Sequence, residues 1–309
     1  GAVEPDDVFQ AASGHSSRVL LPVSIVDHLW CANNRTGLQA AGIGFVVDEA
    51  ERIATFANKV SCYRTIEASG LLDPGNYPAF RLISGVETIA DVRKRVDLRN
   101  FWVKGRDKER FPPVLEWLPQ PSDTERLFNP EYEYLVQEHV QGPIHGYFAL
   151  AKDGELHEEF MHKRLMDIPL AGGSCCYAQS YDDEALRRIG RDFLRRSRWT
   201  GFVMLEFKRD EVDGTYRLIE INPKLWGTYA RSSLSGCHFA RRYVELASGM
   251  ASQSGKSEYR IGLRVYYPLR EAVLVDPSHS LMSRLRNILT CSRVSDFNVY
   301  GDRTIGWGM

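Results

Sequence analysis

Hydrophobic and polar positions along the 309-residue chain repeat with two periods, and the changes of period mark its elements. Arg18 to Val26 reads as a buried strand, Asp27 to Ala41 as a helix ending at Gly42, and Gly44 to Val47 as a second short strand. Together they form a fragment of an alternating α/β unit. A helix is expected from Asn58 to about Ser69, with Gly70 as its stop, before Pro74, Gly75 and Pro78 break the chain. A strand (Ala79 to Ile83), a helix (Val86 to Val96) and another strand (Phe101 to Lys104) follow. The stretch 111–130 carries five prolines and reads as a covering loop. Tyr134 to Val140 is a strand, and Tyr147 to Ala151 pairs with Leu156 to His162 in a hairpin turning at Lys152-Asp153-Gly154. Asp183 to Trp199 is a helix with Leu186, Ile189, Phe193 and Leu194 on one face. Its arginines (187, 188, 191, 195, 196, 198) lie opposite, beside Glu184 and Asp192, and read as a solvated face.

The segment Gly201 to Gly227 carries the most information. Two alternating runs flank Glu211-Val212-Asp213-Gly214, a hairpin signal. Val203, Leu205 and Phe207 share a core face with Ile219 and Ile221 if Asp210 pairs with Tyr216. That register sets Glu206 opposite Glu220, with Asn222 two positions along the same face and Lys208 one step from Glu206. Carboxylates so placed repel unless a cation lies between them. Magnesium suits the position, because it takes carboxylate and amide oxygens and leaves sites for phosphate oxygens. On an isolated hairpin, both carboxylates facing solvent beside Lys208 would be an equal reading. The Asn222-Pro223-Lys224 that follows weighs against it.

These residues resemble a known family. Glu206, then Glu220-Ile221-Asn222-Pro223-Lys224 and Trp226-Gly227, look like the metal-binding end of the ATP-grasp superfamily. The likeness is greatest to its carboxylate-amine ligases of the carbamoyl-phosphate-synthetase-like kind. Lys224 stands where that pattern has Arg, and Thr228 where it has Ser; Lys keeps the charge and loses the forked grip. Other parts occur in order. Asn58-Lys59 resembles the Asp-Lys that opens the region, and Val103-Lys104 the strand-borne second lysine. Gln137-Glu138-His139-Val140, followed by Gly142, resembles the hinge that holds adenine through its backbone, with Glu138 near the exocyclic amine. His162-Lys163-Arg164, then Pro169 and Gly172-Gly173-Ser174, resemble the basic strand and anion-binding turn.

The resemblance implies an α+β ATP-grasp fold, two α/β lobes enclosing ATP, after a partial N-terminal α/β unit. Its expected boundaries are 1–57 for that unit, 58–275 for the ATP-grasp domain and 276–309 for a tail packing on it. It implies a ligase that joins a small carboxylate to an amine through an acyl phosphate, using ATP and magnesium or manganese. Glu206, Glu220 and Asn222 would hold the metal. Lys59, Lys104, Gln137, Glu138, His139, Val140, Gly173, Ser174 and Lys208 would bind the nucleotide. Arg164, with Lys163 and Lys224, would stabilise the transferred phosphoryl group. Two other readings stay open, a carboxylase-type protein that phosphorylates bicarbonate and a non-catalytic or regulatory ATP-binding subunit. The family usually carries more chain before its first lysine than is present here, so the first part of the N-terminal unit is expected to be missing. Residues 105–110 are charged and Gly-poor, unlike the usual phosphate lid, and read as a basic lid or a disordered loop.

Composition adds exclusions. Lys+Arg 39 against Asp+Glu 40 gives net charge −1, no basic excess for nucleic acid. With 43% hydrophobic and 26% charged residues the chain is ordinary globular protein. No apolar run approaches the roughly 20 residues of a membrane span. Six cysteines without a C-x-x-C pair fit a reduced cytoplasmic setting, and Cys175-Cys176 reads as loop lining. The histidines show no H-x-x-x-H pair, which argues against zinc. The chain opens Gly-Ala without Met and reads as a tag remnant or processed start, so the absence of a leader says little about targeting. A homodimer is the candidate assembly.

Overall fold

The computed structural model describes residue 8 and residues 18–97, 100–105, 114–115, 128–167, 175–250, 258–267 and 281–294. Helices α1 (Ile25–Asn33), α2 (Arg35–Ala40), α3 (Ala50–Ala57) and α4 (Lys59–Ser69) come first. Ser24 and Asp27 close a capping box at the start of α1, so the chain turns helical inside the expected strand Arg18 to Val26. Of the two expected strands only a single parallel bridge remains, Val19 to Gly44. The expected helix over 27–41 is interrupted at Asn34, and Gly42 ends it with φ +67°. This N-terminal segment is tied down by Tyr243, whose hydroxyl donates to the Leu20 carbonyl at 2.9 Å and accepts from Val46 N–H at 2.9 Å.

Asn58 caps α4 through Val60 and Ser61 N–H, and Gly70 stops it at φ +62°. Then come β1 (Phe80–Ile83), α5 (Ile89–Arg95), β2 (Phe101–Lys104), β3 (Val114–Leu115) and β4 (Tyr134–Glu138). They form an antiparallel sheet ordered β1-β4-β2-β3. The pair Val114–Leu115 is thus strand within the expected loop over 111–130, most of which lies outside the described residues.

The second sheet contains β5 (Ile144–Lys152), β6 (Glu155–Asp167), β7 (Cys175–Tyr181), β8 (Gly201–Arg209), β9 (Tyr216–Asn222), β10 (Arg264–Tyr266) and β11 (Arg293–Val294). Its order is β11-β10-β7-β6-β5-β8-β9. Helices α6 (Glu184–Ser197), α7 (Tyr229–Leu234), α8 (Phe239–Ala247) and α9 (Leu281–Thr290) complete the described elements. No helix among the described residues is long and apolar enough to cross a membrane.

The solvated-face reading of α6 is corrected at Arg187. This side chain is buried and bonds Glu159, itself fully buried, at 3.1 Å, as well as Asp182 and Glu184. Arg191 reaches the same Glu159 at 2.8 Å. A carboxylate removed from water needs such partners. Arg195 and Arg196 do lie outside, on Asp192 and Asp73.

His145 gives the fold a pH dependence. Its ring lies between Tyr181 and Tyr216 and its Nδ1–H donates to the Pro143 carbonyl at 3.1 Å. Burial, with Lys163 and Arg209 nearby, pushes its pKa down from 6.5 to about 4 against the opposing pull of the Pro143 bond and Asp183. Between those values the unfolded chain binds the extra proton and the folded chain does not, so stability rises with pH across the window. We expect stability to fall by on the order of 2 kcal/mol from this residue as pH drops from 6.5 to 4. Urea titrations over that range should show a flatter slope in His145→Gln.

Candidate functional site

The hairpin β8–β9 sets the site. Met204 pairs with Asn222, Leu205 with Ile221 and Glu206 with Glu220. The expected opposition of the two carboxylates is therefore present. The register nearer the turn is not the expected one, because Arg209, rather than Asp210, faces Tyr216. A bulge between Glu206 and Phe207 absorbs the difference. It buries Leu218 in the core where the alternation placed Ile219, which is only half-buried.

Both carboxylates have cationic partners. Glu220 meets Lys59 Nζ at 3.0 Å, and Glu206 meets the guanidinium of Arg164, which also reaches Asp167 at 3.2 Å. Side-chain exposures are 11% for Lys59, 24% for Glu220, 10% for Arg164 and 12% for Glu206, so these charges meet largely out of water. Three segments far apart in sequence converge here. Lys59 comes from the first turn of α4, Arg164 from β6 and the carboxylates from the hairpin. Lys104 is drawn to the same region from the other sheet. Its ammonium donates to Gln137 Oε1, the Gln137 amide donates to the Tyr63 hydroxyl, and that hydroxyl donates to the Leu218 carbonyl of β9 at 2.5 Å. The buried Cys62 thiol, pushed up to about 12 by burial, feels Lys59, Glu220 and Lys104 together.

Other expected residues lie differently. Lys163 and Arg164 are consecutive in a strand and point to opposite faces. Lys163 sits across from His145 and Gln179, on the far side from Glu206, which separates it from the role expected for Arg164. Lys208 donates to the Val140 carbonyl at 2.8 Å and partners neither carboxylate. It ties Val140 to β8. Glu138 accepts from Ala79 N–H at 3.3 Å, and the Glu138 and His139 N–H groups are bonded to the Ala79 and Asn100 carbonyls. The N–H groups at the end of β4 are therefore used by its own sheet. Beyond β4, Gly142 has φ +137°, and a Cβ would stand 1.9 Å from the Arg209 carbonyl, so only glycine fits. His139, its pKa lowered to about 4 by burial and Lys208, remains neutral there. Lys224 lies within electrostatic reach of His28 in α1. Gly173 and Ser174, like Pro169 and residues 106–110, are outside the described residues.

Sequence reasoning missed Tyr63, the link between Gln137 and β9, and Arg231. The fully buried Arg231 guanidinium donates to His162 Nδ1 at 2.8 Å. No motif marks either residue; their partners are 74 and 69 positions away.

The oxygen donors suit a hard divalent cation such as magnesium or manganese: two carboxylates and, on the same face, an amide. Among the described residues no group of three or more His, Cys, Asp or Glu could hold a metal, so Asn222 would have to supply the third donor.

No protein-family model matches the chain, and no curated protein matches it by sequence. Solved structures do match. The L-amino acid ligase from Bacillus licheniformis aligns at 14% identity with a TM-score of 0.57, over 84% of this chain and 63% of that one. An N5-carboxyaminoimidazole ribonucleotide synthetase in complex with ADP aligns at 12% identity and 0.60, over 85% and 68%. The biotin carboxylase domain of Hydrogenobacter thermophilus 2-oxoglutarate carboxylase, solved with MgADP and bicarbonate, aligns at 11% and 0.59, over 84% and 60%. The chain thus spans less than two thirds of the first of these proteins. The TM-scores establish a shared fold, and identities this low establish the fold alone.

Proposed function

We propose that this chain, whose fold is the ATP-grasp fold, is an ATP-dependent ligase that activates a small carboxylate and transfers it to an amine. The observation that carries the reading is the cross-strand pair Glu206–Glu220, with Asn222 beyond it and Lys59 and Arg164 converging on it. In the reaction, a carboxylate oxygen of the acid attacks the γ-phosphorus, and the bond from phosphorus to the bridging oxygen breaks, releasing ADP. The amine nitrogen then attacks the acyl carbon; inorganic phosphate leaves with the bonding electrons and the nitrogen loses a proton. Glu206, Glu220 and Asn222 would hold magnesium or manganese, which would supply neutralisation of the phosphate charge. Lys59 and Lys104 bind ground-state phosphates, Arg164 stabilises the charge on the moving phosphoryl group, and the Lys208-braced hinge borders the adenine.

The test is ADP release against a panel of amino acids and small carboxylates, each with and without an amine acceptor. Turnover that needs both an acid and an amine supports the ligase. The bicarbonate in the matched carboxylase structure favours a second reading, and ADP release with bicarbonate alone would select it. Binding of ATP without turnover across the panel would make the chain a non-catalytic nucleotide binder.

Lys104→Ala should weaken ATP binding at least tenfold, about 1.4 kcal/mol, since a positioned cation in a partly closed cleft is worth more than an exposed one. The substitution also strips Gln137 of its donor, so some loss of stability accompanies it. Calorimetry with a non-hydrolysable ATP analogue separates the two effects; an unaltered dissociation constant would remove Lys104 from the nucleotide site.

A further inference from the structure

Ser180, His162, Gly146, Glu206 and Glu220 are paired in one row across β7, β6, β5, β8 and β9. Residues directly opposite share a face, so the His162 imidazole stands on the same side as the two carboxylates, with only a glycine between it and Glu206. One edge of the ring lies over that glycine. A Cβ at Gly146 would stand 2.6 Å from the Phe148 ring and 3.0 Å from His162 Nε2. Arg231 holds the other edge. Its guanidinium donates to His162 Nδ1 at 2.8 Å, and because arginine only donates, the imidazole must carry its proton on Nε2. Burial, with Arg231 and Arg164 nearby, pushes the His162 pKa well down and keeps the ring neutral.

Among the described residues, His162 Nε2–H and Arg231 Nε–H are buried and find no acceptor. Arg231 is fully buried, and no carboxylate among the described residues pairs with it. Besides His162, it has the Cys175 sulfur at 3.9 Å and the face of the Tyr267 ring at 5.4 Å. A buried cation without an anion and a buried donor without an acceptor each cost stability. One ligand meets both deficits: an anionic oxygen over Gly146, beside Arg164 and facing the Glu206–Glu220 pair. We propose that His162, held by Arg231, donates its Nε2–H to the carboxylate group of the acid substrate. His162 touches the substrate, and Arg231 is a positioning residue. In the ligase reaction the oxygen so held is the one that does not attack phosphorus. When the amine nitrogen adds to the acyl carbon, the electron pair of the C=O bond moves onto that oxygen, where Nε2–H stabilises it. The pair returns as phosphate leaves, the proton lost by nitrogen ends on phosphate, and none passes to or from His162.

The identity of the ligand rests on the ligase reading, whereas the state of the imidazole does not. The test is nitrogen NMR of the full-length protein carrying isotope-labelled histidine, with His162 identified by the signals lost in His162→Gln. The parent should show His162 as the neutral Nε2–H tautomer throughout the neutral pH range. Acetate, a bare carboxylate group, should shift the His162 signals, and chloride at equal ionic strength should not. Arg231→Met frees Nδ1, so both tautomers should appear and acetate affinity should fall about tenfold, or about 1.4 kcal/mol. A parent ring protonated on Nδ1, or charged at neutral pH, overturns the proposal, as do signals that ignore acetate or follow chloride equally. An Arg231→Met variant with the parent's tautomer and affinity overturns it too. Should that variant fail to fold, the tautomer and the acetate response of the parent still decide. ADP release across the acid and amine panel separates the two readings. An acetate response in a protein that turns over no acid upholds the carboxylate site and sinks the ligase. Turnover that needs acid and amine beside an unmoved His162 sinks this proposal and keeps the ligase.

Discussion

Glu220→Gln is expected to lower metal-dependent ADP release by about a thousandfold or more, roughly 4 kcal/mol of transition-state stabilisation. The amide keeps the shape of the side chain and an oxygen that can accept from Lys59, but it lacks the charge with which a carboxylate would neutralise a divalent cation. The fold should survive. The sequence alone suggests that the hairpin is relieved when one of two repelling carboxylates is removed; the ion pair to Lys59 reverses that expectation. With a quarter of the Glu220 side chain in water, the loss is about 1 kcal/mol or less and should appear as a slightly lower melting temperature without metal. Unchanged ADP release in a folded variant would remove Glu220 from the metal site.

Arg164→Ala is expected to lower kcat about a hundredfold or more, some 2.7 kcal/mol, with little change in ATP affinity. Interactions made mainly in the transition state raise the rate without tightening the substrate, and one preorganised donor is worth about this much. The geometry supports the division, because Arg164 is already paired with Glu206 and Asp167. Lys at this position should rescue only part of the rate, since it keeps the charge and loses the fork. Because the substitution also leaves Glu206 without its counter-ion, stability must be measured beside kcat. A variant that loses ATP affinity while keeping kcat would move Arg164 to ground-state nucleotide binding and require another stabilising group.

Much of this site can be read from the chain because strand periodicity is simple. Any register that buries Val203, Leu205 and Ile221 together puts Glu206, Glu220 and Asn222 on one shared face, and the pairing of Leu205 with Ile221 then sets the two carboxylates opposite one another. Helix α4 is announced by Asn58 and Gly70, and β2 matches its expected limits. The start of α1 is also written locally, in Ser24 and Asp27, but the apolar run over 18–26 outweighs it when only hydrophobicity is followed.

Local pattern therefore determined many of the central elements, α4, β2 and the β8–β9 hairpin among them, and which residues share the face of Glu206. Tertiary structure decided which charges meet. A helical face cannot show that Arg187 is buried, because its partner Glu159 lies in β6, 28 residues away. Alternation puts Lys163 and Arg164 on opposite faces but only the order β6-β5-β8 says which of them sees Glu206. Likewise the bulge that buries Leu218 in place of Ile219, and the chain from Lys104 through Gln137 and Tyr63 to β9, exist only once the two sheets are assembled. The physical reason is one of range: hydrophobic periodicity acts within a segment, whereas a buried charge is tolerable only when another segment supplies its partner.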